Sequence, residues 1–343
     1  MNSMKDKFIY FLEMTGLNWF VPLAKIAGGE PAGFQFQQLV KMIGLPLLAM
    51  LAFLMFWHVG AAKVDTSLGQ LPGPVQVWEQ VKVLNQEHQA ERQRASDFYQ
   101  RQAERNAEKL AKNPEAEIRV RDFTGRPTFV DQIWTSLFTV FVGFLLASLI
   151  AIPIGIVSGL SQNLYNAINP LIQIFKPVSP LAWLPIVTMV VSAVYISADP
   201  VFSKSFITSA ITVMLCSLWP TLINTAVGVS SIDRDLLNVG KVLRLGYFTT
   251  VWKIVIPSSI PMIFTGLRIS LGIGWMVLIA AEMLAQNPGL GKFVWDEFQN
   301  GSSNSLSRIM VAVLAIGLIG FVLDRIMLTL QKFFSYDKTA NIR

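Results

Sequence analysis

Long apolar stretches alternate with shorter polar ones along most of the chain. Six of them are long enough to cross a bilayer core of roughly 30 Å, which takes about 20 helical residues. Backbone exposed to lipid must satisfy its own hydrogen bonds, so each stretch is predicted to be a helix. The pattern predicts an all-α, polytopic membrane protein with six transmembrane helices, over residues 39–62, 133–160, 171–196, 206–229, 258–284 and 309–333.

The polar segments divide the rest of the chain. Residues 1–38 mix aromatic residues with charges and prolines, and are predicted to form an arm in the cytoplasm or on the membrane surface. Residues 63–132 form a segment on the opposite, periplasmic side. Residues 133–333 are then a core of five helices, and residues 334–343 are a cytoplasmic tail.

A charged helix is predicted within the periplasmic segment. Leu71-Pro-Gly-Pro74 makes a turn, and the stretch from Val75 to Lys112 is dense in Glu, Gln, Arg and Ala. A short apolar stripe near its start consists of Val75, Trp78, Val81 and Leu84. Two interpretations fit this helix: a docking surface for a soluble binding protein, or a solvated excursion stabilised by charge pairs four residues apart.

Basic residues set the predicted orientation, because in short loops they favour the cytoplasmic side. They flank the first stretch, the fourth connection and the end of the sixth stretch, as Lys5, Lys7, Lys25, Lys41, Arg234, Lys241, Arg244, Lys253, Lys332, Lys338 and Arg343. The opposite connections carry chiefly Lys204, Lys292 and Arg308. Both termini are therefore expected in the cytoplasm. The net charge of +6 follows from this topology and does not indicate a nucleic-acid partner.

Small residues recur every four positions in two of the apolar stretches. The second stretch carries Gly143, Ala147, Ala151, Gly155 and Gly159, and the fifth carries Gly266, Ser270 and Gly274. Such spacing lets helix backbones approach closely in lipid. The third stretch opens among Pro170, Pro177, Pro180 and Pro185, which predicts kinked or broken helix there.

The segment 231–257, on the cytoplasmic side, is unusually apolar for a loop. Asp233 and Asp235 suit a helix N-terminus, where negative charge meets the positive end of the helix dipole. A face of apolar and small residues follows at helical spacing, made of Leu236, Leu237, Gly240, Val242 and Leu243. Leu245-Gly246 then breaks the helix. An apolar loop of this kind predicts a short helix presented to a groove on a partner protein.

This segment resembles the coupling segment of binding-protein-dependent ABC importers, whose permeases share the pattern Glu-Ala-Ala, three residues, Gly, nine residues, Ile-x-Leu-Pro. With Pro257 as the anchor, Asn238-Val239-Gly240 takes the place of Glu-Ala-Ala and Arg244 that of the glycine. The spacing is kept while most of the letters differ. The resemblance implies a contact with the ATPase subunit through Asp235, Asn238, Gly240, Leu243, Arg244, Gly246 and Pro257.

Other stretches resemble nitrate-importer permeases, with sulfonate, taurine and bicarbonate permeases as near relatives. They include Lys176–Pro185, Leu218–Ile232, Phe264–Ser270, Ala280–Leu284 and Phe293–Asp296, and the likeness covers residues 71–79 and 128–333. It implies a type I ABC importer permease in the bacterial inner membrane. It also implies a second permease copy, cytoplasmic ATPases that hold ATP and magnesium, and a periplasmic or lipid-anchored binding protein. The cargo implied is nitrate or nitrite, with bicarbonate, cyanate or a sulfonate as alternatives.

Charged residues within the membrane are costly and by default mark a pathway or a pair. Arg268 in the fifth stretch and Asp324 in the sixth are predicted to lie within roughly 5 Å of the same depth, at ~1.5 Å of rise per residue. Arg268, with Ser270 nearby, could attract an anion in a cavity between two copies. Alternatively, Arg268 and Asp324 form a buried structural pair. Glu282 would repel an anion, and a gate or packing role suits it better.

The sequence offers no basis for an enzyme. Gly289-Leu-Gly-Lys292 lacks the earlier glycine of a phosphate-binding loop, since Gln286 stands there, and Phe293 follows the lysine. One cysteine and two histidines predict no metal site and no intrachain disulfide. No cofactor is expected in this chain. The competing classes are an ATP-independent secondary transporter, which predicts an inverted repeat, and a membrane scaffold.

Overall fold

The computed structural model describes residues 9, 12, 20–27, 32–66, 69–113, 117–118, 120–196 and 200–334. Its helices are α1 Val21–Ala27, α2 Ala32–Leu39, α3 Leu45–Ala61, α4 Pro74–Lys112, α5 Phe129–Leu160, α6 Gln162–Phe175, α7 Pro180–Val194, α8 Lys204–Ser230, α9 Arg234–Val242, α10 Tyr247–Thr250, α11 Ile256–Ala285, α12 Leu290–Asn300 and α13 Ser305–Phe334. Two-residue strands β1 (Asp65–Thr66) and β2 (Gly69–Gln70) pair antiparallel. Of the predicted tail at residues 334–343, residue 334 ends α13 and residues 335–343 lie outside the described residues.

Five helices in the described part of the chain are long and apolar enough to cross a membrane. They run over Phe36–Ala61, Phe129–Leu160, Lys204–Ser230, Tyr247–Ala285 and Ser305–Phe334, which matches five of the six predicted stretches. The third predicted stretch, 171–196, is not one helix. Instead α6 and α7 meet at a 99° bend, and the pair makes a sixth span only if it is counted as one broken crossing. The break falls among the prolines of that stretch, where the helical backbone loses donors.

Helix α8 is the centre of the bundle, because it packs along both α5 and α11. The glycine stripe of α5 faces it, and a Cβ atom on Gly155 would come within 2.6 Å of the Thr225 Cβ atom. On the other side, a Cβ atom on Gly266 of α11 would lie 2.9 Å from the Asn224 Cβ atom. The predicted small-residue stripes are thus confirmed as contact surfaces between helices.

The two ends of this bundle differ. The long helix α4 and the short helix α12 lie at one end, called the α4 end below. Helix α9 lies at the other, called the α9 end. Helix α4 joins the α4 end through a hydrogen bond of 2.7 Å between His88 Nδ1 and Thr128 Oγ1, and through ion pairs from Arg92 to Asp131 and from Arg308 to Glu87.

The charged helix predicted at residues 75–112 is confirmed as α4, but its predicted apolar stripe is partly wrong. Val77, Gln80 and Leu84 are the residues buried against the core, whereas Val75 and Trp78 are both 62% exposed. The spacing of apolar residues predicts that a helix has an apolar stripe, but not which residues of the stripe are buried against protein. An apolar residue near a membrane can face lipid as well as protein.

Two short π-helical segments precede proline-containing helix starts. Val40–Gly44 comes just before Pro46, and Val251–Val255 just before Pro257. A regular α-turn would set each proline ring against the carbonyl four residues earlier, and a wider turn relieves that clash. The widened turn at Val251–Val255 joins α10 to α11, so the long span begins close to α9.

Candidate functional site

A short, separate helix, α9, lies at one end of the bundle and exposes several apolar side chains. Asp233 is its N-cap residue, and its Oδ1 atom accepts a hydrogen bond of 2.9 Å from the backbone N–H of Asp235. Asp235 stands in the first turn, where its charge favours the positive end of the helix dipole. The sequence prediction of a helix start at these two aspartates is confirmed.

The apolar residues of α9 form two faces, not the single face predicted. Leu237 packs with Val229, Ile232 and Val255, and Gly240 is buried beside Ile254. The opposite face is open: Leu236, Val239, Val242 and Leu243 are 49%, 52%, 81% and 64% exposed. The inner face anchors the helix to the bundle, which leaves the outer face free for another protein. Asn238 is exposed alongside it.

Helix α9 ends at Val242 with Leu243 as its C-cap, and Arg244 follows at the position where the resembled family pattern has glycine. Arg244 has a φ of 50°, in the left-handed region that favours glycine. Its backbone N–H bonds to the Lys241 carbonyl at 3.0 Å, and the N–H of Leu245 bonds to the Gly240 carbonyl at 2.9 Å. This is the hydrogen-bond pattern of a Schellman helix stop. The left-handed conformation at this position explains why the family pattern has glycine there. Arg244 adopts the same conformation although it is not glycine.

The chain turns back into the bundle directly after this stop. Gly246 is the N-cap of α10, and Tyr247 and Phe248 are 58% and 78% exposed. Trp252, 70% exposed, continues this aromatic surface into the widened turn before Pro257. The open face of α9 and these aromatic side chains are exposed apolar groups at the same end of the bundle, and together they are called the coupling surface below.

Inside the bundle, Arg268 of α11 and Asp324 of α13 form a two-pronged ion pair. Arg268 Nε lies 2.5 Å from Asp324 Oδ1, and a terminal guanidinium nitrogen lies 3.0 Å from Oδ2. The two side chains are 28% and 34% exposed, so the pair is reachable from one side. Arg325 is exposed beside it, with its guanidinium carbon 5.1 Å from the Phe321 ring centre. Arg325 went unnoticed in the sequence, although its position in an apolar stretch marks it.

Ser270, grouped with this pair in the sequence analysis, lies elsewhere. It is fully buried between α11 and α8. Its hydroxyl lies 2.5 Å from the Ser217 carbonyl and 2.7 Å from Thr221 Oγ1. Its position supports helix packing and does not favour a place on an open pathway, because every polar contact it makes joins the two helices.

Glu282, expected to serve as a gate or in packing, is a buried acidic side chain at the α4 end of α11. Its two oxygens share the hydroxyl hydrogen of Ser136, at 2.8 and 2.9 Å from Oγ, and one of them also accepts a hydrogen bond of 3.0 Å from the Gly291 N–H. Sequence reasoning missed Ser136, because no local pattern joins positions 146 residues apart.

Comparison with known proteins identifies relatives of this chain. The nitrate import permease protein NrtB of Synechococcus elongatus is 39% identical over 196 residues, which cover 57% of this chain and 66% of the relative. The match thus spans slightly less than two-thirds of that relative's length. The bicarbonate transport system permease protein CmpB of the same species is 32% identical over 308 residues, covering 89% of this chain and 95% of the relative.

Among solved structures, a chain of the MetNI methionine ABC transporter in inward-facing conformations is 16% identical, with a TM-score of 0.49. That match covers 58% of this chain and 94% of the other. The family model described as the inner membrane component of binding-protein-dependent transport systems matches residues 151–336, more than half of the chain. This chain therefore belongs to the family of inner membrane components of binding-protein-dependent transport systems.

Proposed function

We propose that this chain is the membrane-spanning permease subunit of an ATP-driven importer, and that its cargo is nitrate or nitrite. The observation that carries the proposal is the coupling surface. A helix of nine residues, firmly anchored on its inner face, exposes Val242 and Leu243 at 81% and 64% on its outer face. Apolar surface of this kind at a membrane protein's polar end indicates a protein partner.

The proposed partner is a cytoplasmic ATPase whose groove receives α9. The inner face of α9 packs on Val229, Ile232 and Val255, at the end of α8 and the start of the α11 span. A displacement of α9 would therefore act on two core helices, α8 and α11, at the same time. The chain itself hydrolyses no ATP. ATP and magnesium belong to the partner.

The proposed topology places the α9 end and both termini in the cytoplasm. The basic residues near α9 support it, since Arg234, Lys241, Arg244 and Lys253 all stand within or beside the coupling surface. The α4 end then faces the periplasm, where a soluble or lipid-anchored binding protein delivers the cargo. In the bacterial inner membrane this arrangement makes the protein an importer.

A second permease copy completes the proposed assembly. The most apolar 18 residues of the span Phe36–Ala61 include no buried residue, and Phe56 is 79% exposed. At the α4 end this span is fixed by Trp57, whose Nε1–H donates to the Pro72 carbonyl at 3.1 Å. A span so loosely joined to its own bundle is available to a second copy, with lipid covering what remains.

The cargo is assigned from the relatives and from charge. Names of relatives give nitrate import at 39% and 37% identity, and bicarbonate transport at 32% and 39%. Both are small anions with one negative charge. The formal charges of Arg268, Asp324 and Arg325 sum to one positive charge, which suits a single anion passing close by. Bicarbonate is the second candidate, favoured by its match over 89% of this chain.

The test is uptake into vesicles that hold this chain with its ATPase, with a binding protein and ATP supplied on the appropriate sides. We expect ATP-dependent accumulation of labelled nitrate that unlabelled nitrate or nitrite suppresses. Suppression by bicarbonate alone would transfer the assignment to bicarbonate. Accumulation without any ATPase would replace the importer with a secondary transporter.

A further inference from the structure

Helix α12 begins without a capping side chain of its own. Its N-cap position is Gly289, which has no side chain to bond the free N–H groups of the first turn. Two of those groups are nevertheless satisfied: the Leu290 N–H donates to Ser136 Oγ at 2.9 Å, and the Gly291 N–H to Glu282 at 3.0 Å. The cap of α12 is therefore provided by two other helices, α5 and α11.

The space for this cap depends on two glycines. A Cβ atom on Gly289 would fall 2.2 Å from a carboxylate oxygen of Glu282, and one on Gly291 would fall 2.1 Å from the Ile279 carbonyl oxygen. Neither contact is sterically possible. The start of α12 is thus fitted closely onto the Glu282 side chain, whose oxygens lie at the N-terminal end of the helix.

The far side of α12 is joined to α4. Glu297 of α12 contacts Arg308 at 2.8 Å, and the same guanidinium holds Glu87 of α4 at 2.7 Å. Phe293 packs on Phe129 with ring centres 4.9 Å apart. A cavity of about 860 Å³ opens between α4, α12 and the start of α5. Helix α12 therefore connects the exposed polar end of the protein to the buried carboxylate on α11.

We propose that Glu282 is a positioning residue that transmits the position of α12 to the long span α11, so that docking of the binding protein at the α4 end alters α11. This inference rests on the proposed function. Glu282 is suited to the task because it is fully buried and bonds to both neighbouring elements. Its span, α11, also carries Arg268 and leads to the coupling surface.

The experiment measures ATP hydrolysis by the complete complex in vesicles, with and without the cargo-loaded binding protein. Four variants are compared with the natural protein: Glu282→Ala, Glu282→Gln, Ser136→Ala and, as control, Glu79→Ala, whose side chain is exposed on α4. We expect Glu282→Ala to retain basal hydrolysis and lose about tenfold in stimulation by the binding protein. Ser136→Ala should lose about fivefold, because it removes the contacts to Glu282 and to the Leu290 N–H while Glu282 keeps its hydrogen bond from Gly291.

Glu282→Gln should recover at least half of the stimulation, because its carbonyl can still accept from Gly291 and its amide can donate to Ser136. Glu79→Ala should not differ from the natural protein. Full stimulation in Glu282→Ala, or equal loss of basal and stimulated hydrolysis, would overturn the proposal. If Glu282→Ala fails to assemble, full stimulation in Ser136→Ala overturns it. Absence of stimulation in the natural protein would instead refute the proposed function.

Discussion

Arg268 and Asp324 stand 56 residues apart in sequence and face each other across α11 and α13, joined by contacts of 2.5 and 3.0 Å. Parallel contacts of this kind are the strongest geometry available to an arginine and a carboxylate. The pair is also about one-third exposed, so structural pairing and contact with a passing anion are compatible.

Replacing Asp324 with Asn should lower the yield of assembled complex, because Arg268 is then left without its counter-charge in a membrane span. A loss of about 2 kcal/mol or more is expected, since an unpaired charge in this setting is costly. The measurement is the amount of ATPase that co-purifies with the variant. Normal assembly and normal transport by Asp324→Asn would eliminate the structural role.

Exchanging the two residues separates pairing from anion contact. The double variant Arg268→Asp with Asp324→Arg restores opposite charges, and we expect it to recover most of the assembly lost in Asp324→Asn. Transport should then report the second role, measured as initial uptake rate. Recovery of assembly without recovery of uptake indicates that Arg268 meets the anion from α11. Recovery of both assigns the pair to structure alone.

Arg244→Gly should stabilise the end of α9. A non-glycine residue in the left-handed region costs roughly 1–2 kcal/mol, part of which is offset by the greater freedom of glycine when unfolded. The expected gain is about 1 kcal/mol, seen as a rise of about 2 °C in the melting temperature in detergent. Arg244→Ala is the control, because it removes the charge and keeps the strain. An equal gain in Arg244→Ala would point to charge and not to backbone conformation.

Much of the fold could be predicted from the sequence because the bilayer dictates helix length. The five single spans follow from that rule, and the glycine stripes follow from the close packing of helices in lipid. The predicted depths of Arg268 and Asp324 in the membrane agree with their ion pair. The all-α architecture and the family membership confirm a helical membrane component of a binding-protein-dependent transport system, while its type I class stays a prediction. At the third stretch the prolines indicated a break but could not give its 99° bend, since that angle depends on what the two helices pack against.

Other features could not be predicted because no local pattern carries them. Val75 and Trp78 face outward although they belong to an apolar stripe, since lipid and protein both accept apolar side chains. The cap of α12 joins Ser136 and Glu282 to Leu290 and Gly291, residues that only the tertiary fold brings together. The sequence placed Ser270 with Arg268 as a candidate pathway residue, whereas its side chain lies on the side of α11 that faces α8.

Val242→Asp should weaken ATPase binding while leaving the fold intact. Val242 is 81% exposed on the coupling surface, so a charge there costs little in this chain alone. In an apolar groove on the partner the same charge would be desolvated, and affinity should fall about tenfold or more. Val201→Asp is a matched control, because Val201 is 87% exposed in the connection between α7 and α8. Binding is measured by titrating purified ATPase. Equal weakening in both variants would remove α9 from the interface.

Gly266→Ala and Gly272→Ala should behave oppositely although both glycines lie on α11. A Cβ atom on Gly266 would lie 2.9 Å from Asn224 Cβ and 3.0 Å from the Pro220 carbonyl, so α8 and α11 must separate. Such overpacking costs about 1–3 kcal/mol and should lower the melting temperature by several degrees. A Cβ atom on Gly272 meets nothing within 4 Å, so alanine should be neutral or raise stability through its higher helix propensity. If both variants melt alike, close approach at Gly266 does not hold α8 and α11 together.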